Sequence, residues 1–125
     1  MNFPEGLKYT DSHEWVKVDG DVAIIGITEY AQGELGDVVF VDIPEARAVT
    51  SGETFGSIEA VKTVSDLIAP IAGTITEINS ELEGNPETVN ADPYGAGWMV
   101  KMSIDDASQL DGLMDVEKYK ALIGK

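Results

Sequence analysis

The chain has 125 residues, a formal net charge of −15, one His and no Cys. That length predicts a single domain over 1–125, and Leu, Ile, Val and Phe, about a quarter of the chain, exceed the roughly 20% below which chains stay disordered. The absence of Cys excludes disulfides, thiolate nucleophiles and Cys-ligated metal sites. The acidity argues against binding nucleic acid, whose phosphates call for Lys and Arg. No apolar run approaches the roughly 20 residues of a membrane span. The N-terminal Met-Asn-Phe-Pro-Glu-Gly does not read as a signal peptide, so a cytoplasmic location is the expectation.

In chain order, 14–18 and 21–28 are β-branched runs around Asp19-Gly20, a dipeptide suited to a hairpin turn with positive φ. Residues 29–35 predict a short helix begun by Thr28 and stopped at Gly36. Val38 to Ile43 reads as a buried strand ended by Pro44. Residues 53–61, 64–69 and 72–78 predict three more strands, with Pro70 and Gly73 as punctuation. Residues 79–97 read as polar loop, and 98–102 as a closing strand. A helical turn is expected over 105–111. The last element is a helix over about 115–123, with Asp115 as N-cap, Val116, Tyr119, Leu122 and Ile123 as its apolar stripe, and Gly124 as its stop. Short strands separated by Gly and Pro predict a mainly β sandwich or barrel.

Little in the chain suggests catalysis. Ser12, His13 and Glu14 are neighbours, and in an extended segment neighbouring side chains point to opposite faces, so they cannot form a triad among themselves. One His and an incomplete Asp19-Gly20-Asp21 fragment leave no metal site. There is no phosphate loop, and Gly95-Ala96-Gly97 lacks the rest of a dinucleotide fingerprint. Lys62 stands out, flanked by Val61 and Thr63 between two strand-like runs, where a hairpin tip would hold its amine away from the core. On local physics alone the favoured reading is an edge lysine that discourages aggregation.

Glu59 to Asp66 (Glu-Ala-Val-Lys-Thr-Val-Ser-Asp), followed by Ala69-Pro70-Ile71-Ala72-Gly73, resembles the lipoyl-attachment signature of the glycine cleavage H-protein family. Tyr9 to Trp15, Gly26 to Ala31, Leu35-Gly36-Asp37 and Asn90 to Trp98 extend the resemblance, in order, from about residue 7 to about 123. Ala60 stands where Ser is usual and Thr63 where Ala is usual, which bears on recognition by a lipoylating enzyme. The resemblance implies a lipoyl/biotinyl-type flattened β-barrel (a barrel-sandwich hybrid or hammerhead) with short helices and a C-terminal helix. It implies lipoic acid joined as an amide to Lys62, and a carrier that is not itself an enzyme, with no catalytic residue.

By the same resemblance, the arm takes the aminomethyl group of glycine from the pyridoxal-phosphate glycine decarboxylase (P protein). It passes the group to the folate-dependent aminomethyltransferase (T protein), and dihydrolipoamide dehydrogenase (L protein) reoxidises it. A lipoyl-transfer or ligase enzyme attaches the cofactor. The carried group ends in a cationic amine, and Ser12, Glu14 and Asp66 match the positions that would receive it, although Ser and Asp also suit turns and caps. A chain that visits several active sites is expected to be a monomer. The acidic surface reads either as steering toward basic docking faces or as solubility. The alternatives are a lipoyl relay protein, an unmodified binding module, and a biotin carboxyl carrier module. Biotin carriers usually place Met on both sides of the lysine, where this chain has Val61 and Thr63. The lipoyl domains of 2-oxoacid dehydrogenases usually place Asp before it.

Overall fold

The computed structural model describes residues 3–44 and 46–124. In chain order the strands are β1 (Lys8–Tyr9), β2 (Glu14–Asp19), β3 (Val22–Ile27), β4 (Val38–Asp42), β5 (Ala48–Val49), β6 (Thr54–Ala60), β7 (Val64–Ile68), β8 (Gly73–Ile78) and β9 (Val100–Ser103). The helices are α1 (Glu29–Leu35), α2 (Glu81–Gly84), α3 (Thr88–Ala91) and α4 (Val116–Ile123), with a 3-10 turn over Ala107–Gly112. Six strands form one antiparallel sheet in the order β1-β2-β3-β9-β8-β5, and three form a second in the order β4-β6-β7. No helix of the described residues is long and apolar enough to cross a membrane.

One core lies between the two sheets. Val16, Ile25, Ile27, Ile75, Val100 and Met102 of the larger sheet pack with Val41, Ile58 and Leu67 of the smaller in a single buried cluster. Each such side chain contributes roughly 1.5–3 kcal/mol when taken from water. The fold is therefore mainly β, as expected. Its sheets face each other as a flattened barrel-sandwich and do not close into a barrel.

Strand alternation sends Trp15 and Ile24 to the other face of the large sheet, where they join Tyr9, Val116 and Tyr119 in a second cluster. The Trp15 indole lies over Gly26, where a Cβ would come within 2.7 Å of the ring, and its Nε1 donates to the Pro93 carbonyl at 2.9 Å. The start of β2 is thus covered on both faces, and Glu14, Trp15 and Val16 are all buried.

Several expectations are refined. The β2–β3 hairpin turns at Gly20-Asp21, because Asp19 pairs with Val22. Only Gly20 takes positive φ there, at 62°. β4 is not buried throughout: its pairing with β6 shifts between Val38 and Phe40, and this bulge turns Val39 and Phe40 outward. The segment expected as loop holds α2 and α3, four residues each, too short to show helical periodicity in sequence. α1 runs as predicted, with the Thr28 hydroxyl accepting from the Ala31 amide and Gly36 as C-cap. In α4, Asp115 caps and Gly124 stops the helix as expected. Leu122, however, is exposed, and the buried face is carried by Val116 and Tyr119.

Candidate functional site

Lys62 sits at the tip of the β6–β7 hairpin, exposed, with Val61, Thr63 and Val64 exposed around it. The tip is tightly held. The Ala60 amide donates to the Thr63 carbonyl at 2.8 Å, and the Val61 amide donates to the Asp37 carbonyl at 3.0 Å. Gly36 takes φ of 81°, and a Cβ built there would stand 3.9 Å from Lys62 Cδ and Cε, so the lysine stem runs beside the end of α1. Asn90 fixes this junction from below. Its side chain accepts from the Val38 amide at 2.8 Å and donates to the Gly36 carbonyl at 2.8 Å and to Gln32 Oε1 at 2.9 Å.

Beyond Leu35 a cleft of about 150 Å³ opens between β2, α1 and β7. Ile27, Leu35, Ile58 and Leu67 supply apolar lining, and Ser12, Glu14 and Asp66 supply polar groups to the same cleft. The structure therefore brings together the three polar residues singled out in the sequence. Lys62 does not line the cleft; its stem passes Gly36, next to Leu35 at the cleft wall. A larger cavity of about 400 Å³ lies on the other side of Ser12, walled by Tyr9 to Ser12, Ile68 to Pro70 and Gly112 to Met114, away from the hairpin tip.

Glu14 is only 2% exposed. Thr10 Oγ1 and Ser12 Oγ each donate to Glu14 Oε1 at 2.8 Å. Burial pushes the carboxyl up to about 7, against the opposing pull of the hydrogen bonds from Thr10, Ser12 and the Ile68 amide, with Asp11 adding to the rise. An acid poised there gains most from a cation brought beside it.

The segment around His13 is not extended. His13 takes φ of 69°, and its amide closes a turn onto the Thr10 carbonyl at 3.1 Å. That turn is why Ser12 and Glu14 meet while the His13 ring leans on Tyr30, with centroids 5.1 Å apart. Burial holds the His13 imidazole below its ordinary range. Sequence reasoning missed Thr10 and the α1 residues Ala31 and Glu34, which share the cleft only through tertiary packing. Among the described residues no group of three or more His, Asp or Glu could hold a metal.

Residues 7–125 match the family model described as Glycine cleavage H-protein. The chain is 59% identical over 124 residues to the glycine cleavage system H protein of Bacteroides thetaiotaomicron, covering 98% of each. It is 57% identical over 126 residues to that of Staphylococcus carnosus, covering 100% of each. The fold superposes on the crystal structure of a glycine cleavage system H protein from Mycobacterium marinum with a TM-score of 0.86 at 38% identity, covering 98% of this chain and 100% of that one. The chain belongs to the glycine cleavage H-protein family.

Proposed function

We propose that this chain is the lipoyl-lysine carrier of the glycine cleavage system, with lipoic acid joined to Lys62. Family membership supports the carrier role, and one observation carries the assignment to this lysine. An exposed amine stands at the tip of a backbone-pinned hairpin, its stem directed past Gly36 beside an apolar cleft that ends on Glu14. The residues present fit the group: apolar side chains suit an aliphatic arm, and the carboxyl of Glu14 suits a cation at its end.

The dithiolane supplies the sulfur redox chemistry that a chain without Cys lacks. The protein's own part is positioning. The pinned hairpin presents Nζ, the cleft wall of Ile27, Leu35, Ile58 and Leu67 excludes water from the arm, and Ser12, Glu14 and Asp66 receive the carried amine. Bringing that amine to Glu14 favours the ionised carboxylate, so docking releases a proton from Glu14 when the pH lies near or below about 7.

The partners are glycine decarboxylase, the aminomethyltransferase, dihydrolipoamide dehydrogenase and the enzyme that attaches lipoate. The hairpin tip suits docking into their active-site mouths. Val39, Phe40, Val61 and Val64 form an exposed apolar collar, and Phe40, Glu59 and Val64 share one row of the small sheet beside Lys62. The test is glycine-dependent carbon dioxide release by purified glycine decarboxylase. Activity is expected with the lipoylated chain and not with Lys62→Ala; release of carbon dioxide by this chain alone would contradict the carrier reading.

A further inference from the structure

We propose that Tyr119 is a positioning residue whose hydroxyl clamps the two walls of the cleft beside Lys62 into one rigid unit. The inference deepens the carrier reading and rests on it for the cleft's purpose. One wall is the turn carrying Ser12, His13 and Glu14; the other is α1, which contributes Ala31, Glu34 and Leu35. Tyr119 belongs to neither. It lies in the C-terminal helix α4, fully buried, and its Oη reaches both walls: His13 Nδ1 at 2.9 Å and Thr28 Oγ1 at 2.7 Å.

Both contacts fall at points that decide wall geometry. Thr28 is the N-cap of α1, and its Oγ1 accepts from the Ala31 amide at 3.1 Å. Holding that hydroxyl fixes the first turn of the helix. His13 is the described non-glycine residue with positive φ, a conformation that costs energy unless its surroundings hold it. The Thr28 amide also donates to the His13 carbonyl at 3.0 Å, so the backbones of the two walls already meet where the phenol joins their side chains. With His13 neutral, a continuous donor order runs from the Thr28 hydroxyl to Tyr119 and from Tyr119 to His13 Nδ1.

The Tyr119 ring is itself immobilised. It stacks on Tyr9 with centroids 4.8 Å apart and an interplanar angle of 11°, and it meets Phe3 edge-on at 5.8 Å. Tyr9 provides a matched comparison. Its hydroxyl also makes a short hydrogen bond, to the Pro4 carbonyl at 2.6 Å, but that bond does not touch the cleft. Tyr9→Phe and Tyr119→Phe each remove one hydroxyl from the same aromatic stack, and only the second removes the link between the walls.

The experiment compares the full chain with these two variants. It reads amide hydrogen exchange at Ala31 and Glu14, and the titration of the Glu14 carboxyl by carbon-detected NMR. The groups that bear on that titration are Asp11, His13, Glu34 and Asp66, which both variants keep, and Tyr119 itself, whose phenol is pushed up to about 12 and stays neutral where Glu14 titrates, so its loss removes a hydroxyl and no charge. Tyr119→Phe is expected to speed exchange at both amides about fivefold or more, the equivalent of one buried hydrogen bond. As water enters the cleft, Glu14 should also titrate closer to the ordinary carboxylate range. Tyr9→Phe is expected to leave both readouts at parental values.

If the two variants behave alike at Ala31 and Glu14, the clamp is overturned. Should Tyr119→Phe not fold, His13→Asn breaks one arm of the link at a left-handed position that Asn tolerates, and the same amides decide. Intact mass after lipoylation separates the two ideas. A lipoylated Tyr119→Phe chain with parental exchange overturns the clamp alone. A parent chain that takes no lipoate overturns the carrier reading while the exchange still decides the clamp.

Discussion

The hydroxyl of Ser12 donates to the carboxyl of Glu14, two residues on, at 2.8 Å, and the bond bridges a left-handed His13. Sequence proximity alone does not create this contact, because an extended chain would hold the two side chains parallel and apart. The turn folds them together and the β2 strand then buries the carboxyl, which titrates at about 7 in place of 4.5.

Burial of this carboxyl makes stability pH-dependent in a defined sense. Below about pH 4.5 the group is protonated in both folded and unfolded chains. Between about 4.5 and about 7 the unfolded chain ionises and the folded one resists. Stability therefore falls as pH rises through that window, by of order 3 kcal/mol from this group, and levels off above it. Glu14→Gln should remove that part of the slope, so its stability relative to the parent should be greater at pH 8 than at pH 4. Chemical denaturation across the range checks this, and parallel profiles for the two chains would count against it.

Asn90 should matter for the lysine although it lies 28 positions away in the chain. Its side chain ties α3 to the Val38 amide and the Gly36 carbonyl. Asn90→Ala leaves those partly buried groups without their partner and should cost about 1–3 kcal/mol. Urea denaturation measures the loss. A change below about 0.5 kcal/mol, the range of ordinary surface substitutions, would show that the junction is not held by this side chain.

The charge of −15 should act on encounter rates. Association with the aminomethyltransferase should slow at least about tenfold between about 0.01 M and about 0.3 M salt, as expected for steering by long-range fields. Stopped-flow measurement with the lipoylated chain decides between steering and mere solubility, since solubility predicts a flat salt dependence.

Most of the sheet architecture was legible because alternating β-branched runs and Gly or Pro turns report local geometry. The caps of α1 and α4 were legible for the same reason, as Thr28, Gly36, Asp115 and Gly124 act on adjacent backbone. The two-residue strands β1 and β5 were not, being too short to carry a period. The outward turn of Val39 and Phe40 depends on a bulge fixed by pairing with β6. In the candidate site, the motif led to Lys62, Ser12, Glu14 and Asp66. It gave no sign of Thr10 as a donor to Glu14, of Gly36 beside the lysine stem, or of Tyr119 meeting His13 across 106 positions. Those relations exist only after strands and helices have packed.

The central claim is that Lys62 carries a lipoyl group, and intact-protein mass spectrometry tests it most directly. The chain is incubated with lipoate, ATP and a lipoylating enzyme beside Lys62→Ala. The account predicts one lipoyl adduct on the parent and none on the variant. An unmodified parent, under conditions that lipoylate another H protein completely, or an adduct that persists on Lys62→Ala, would contradict it.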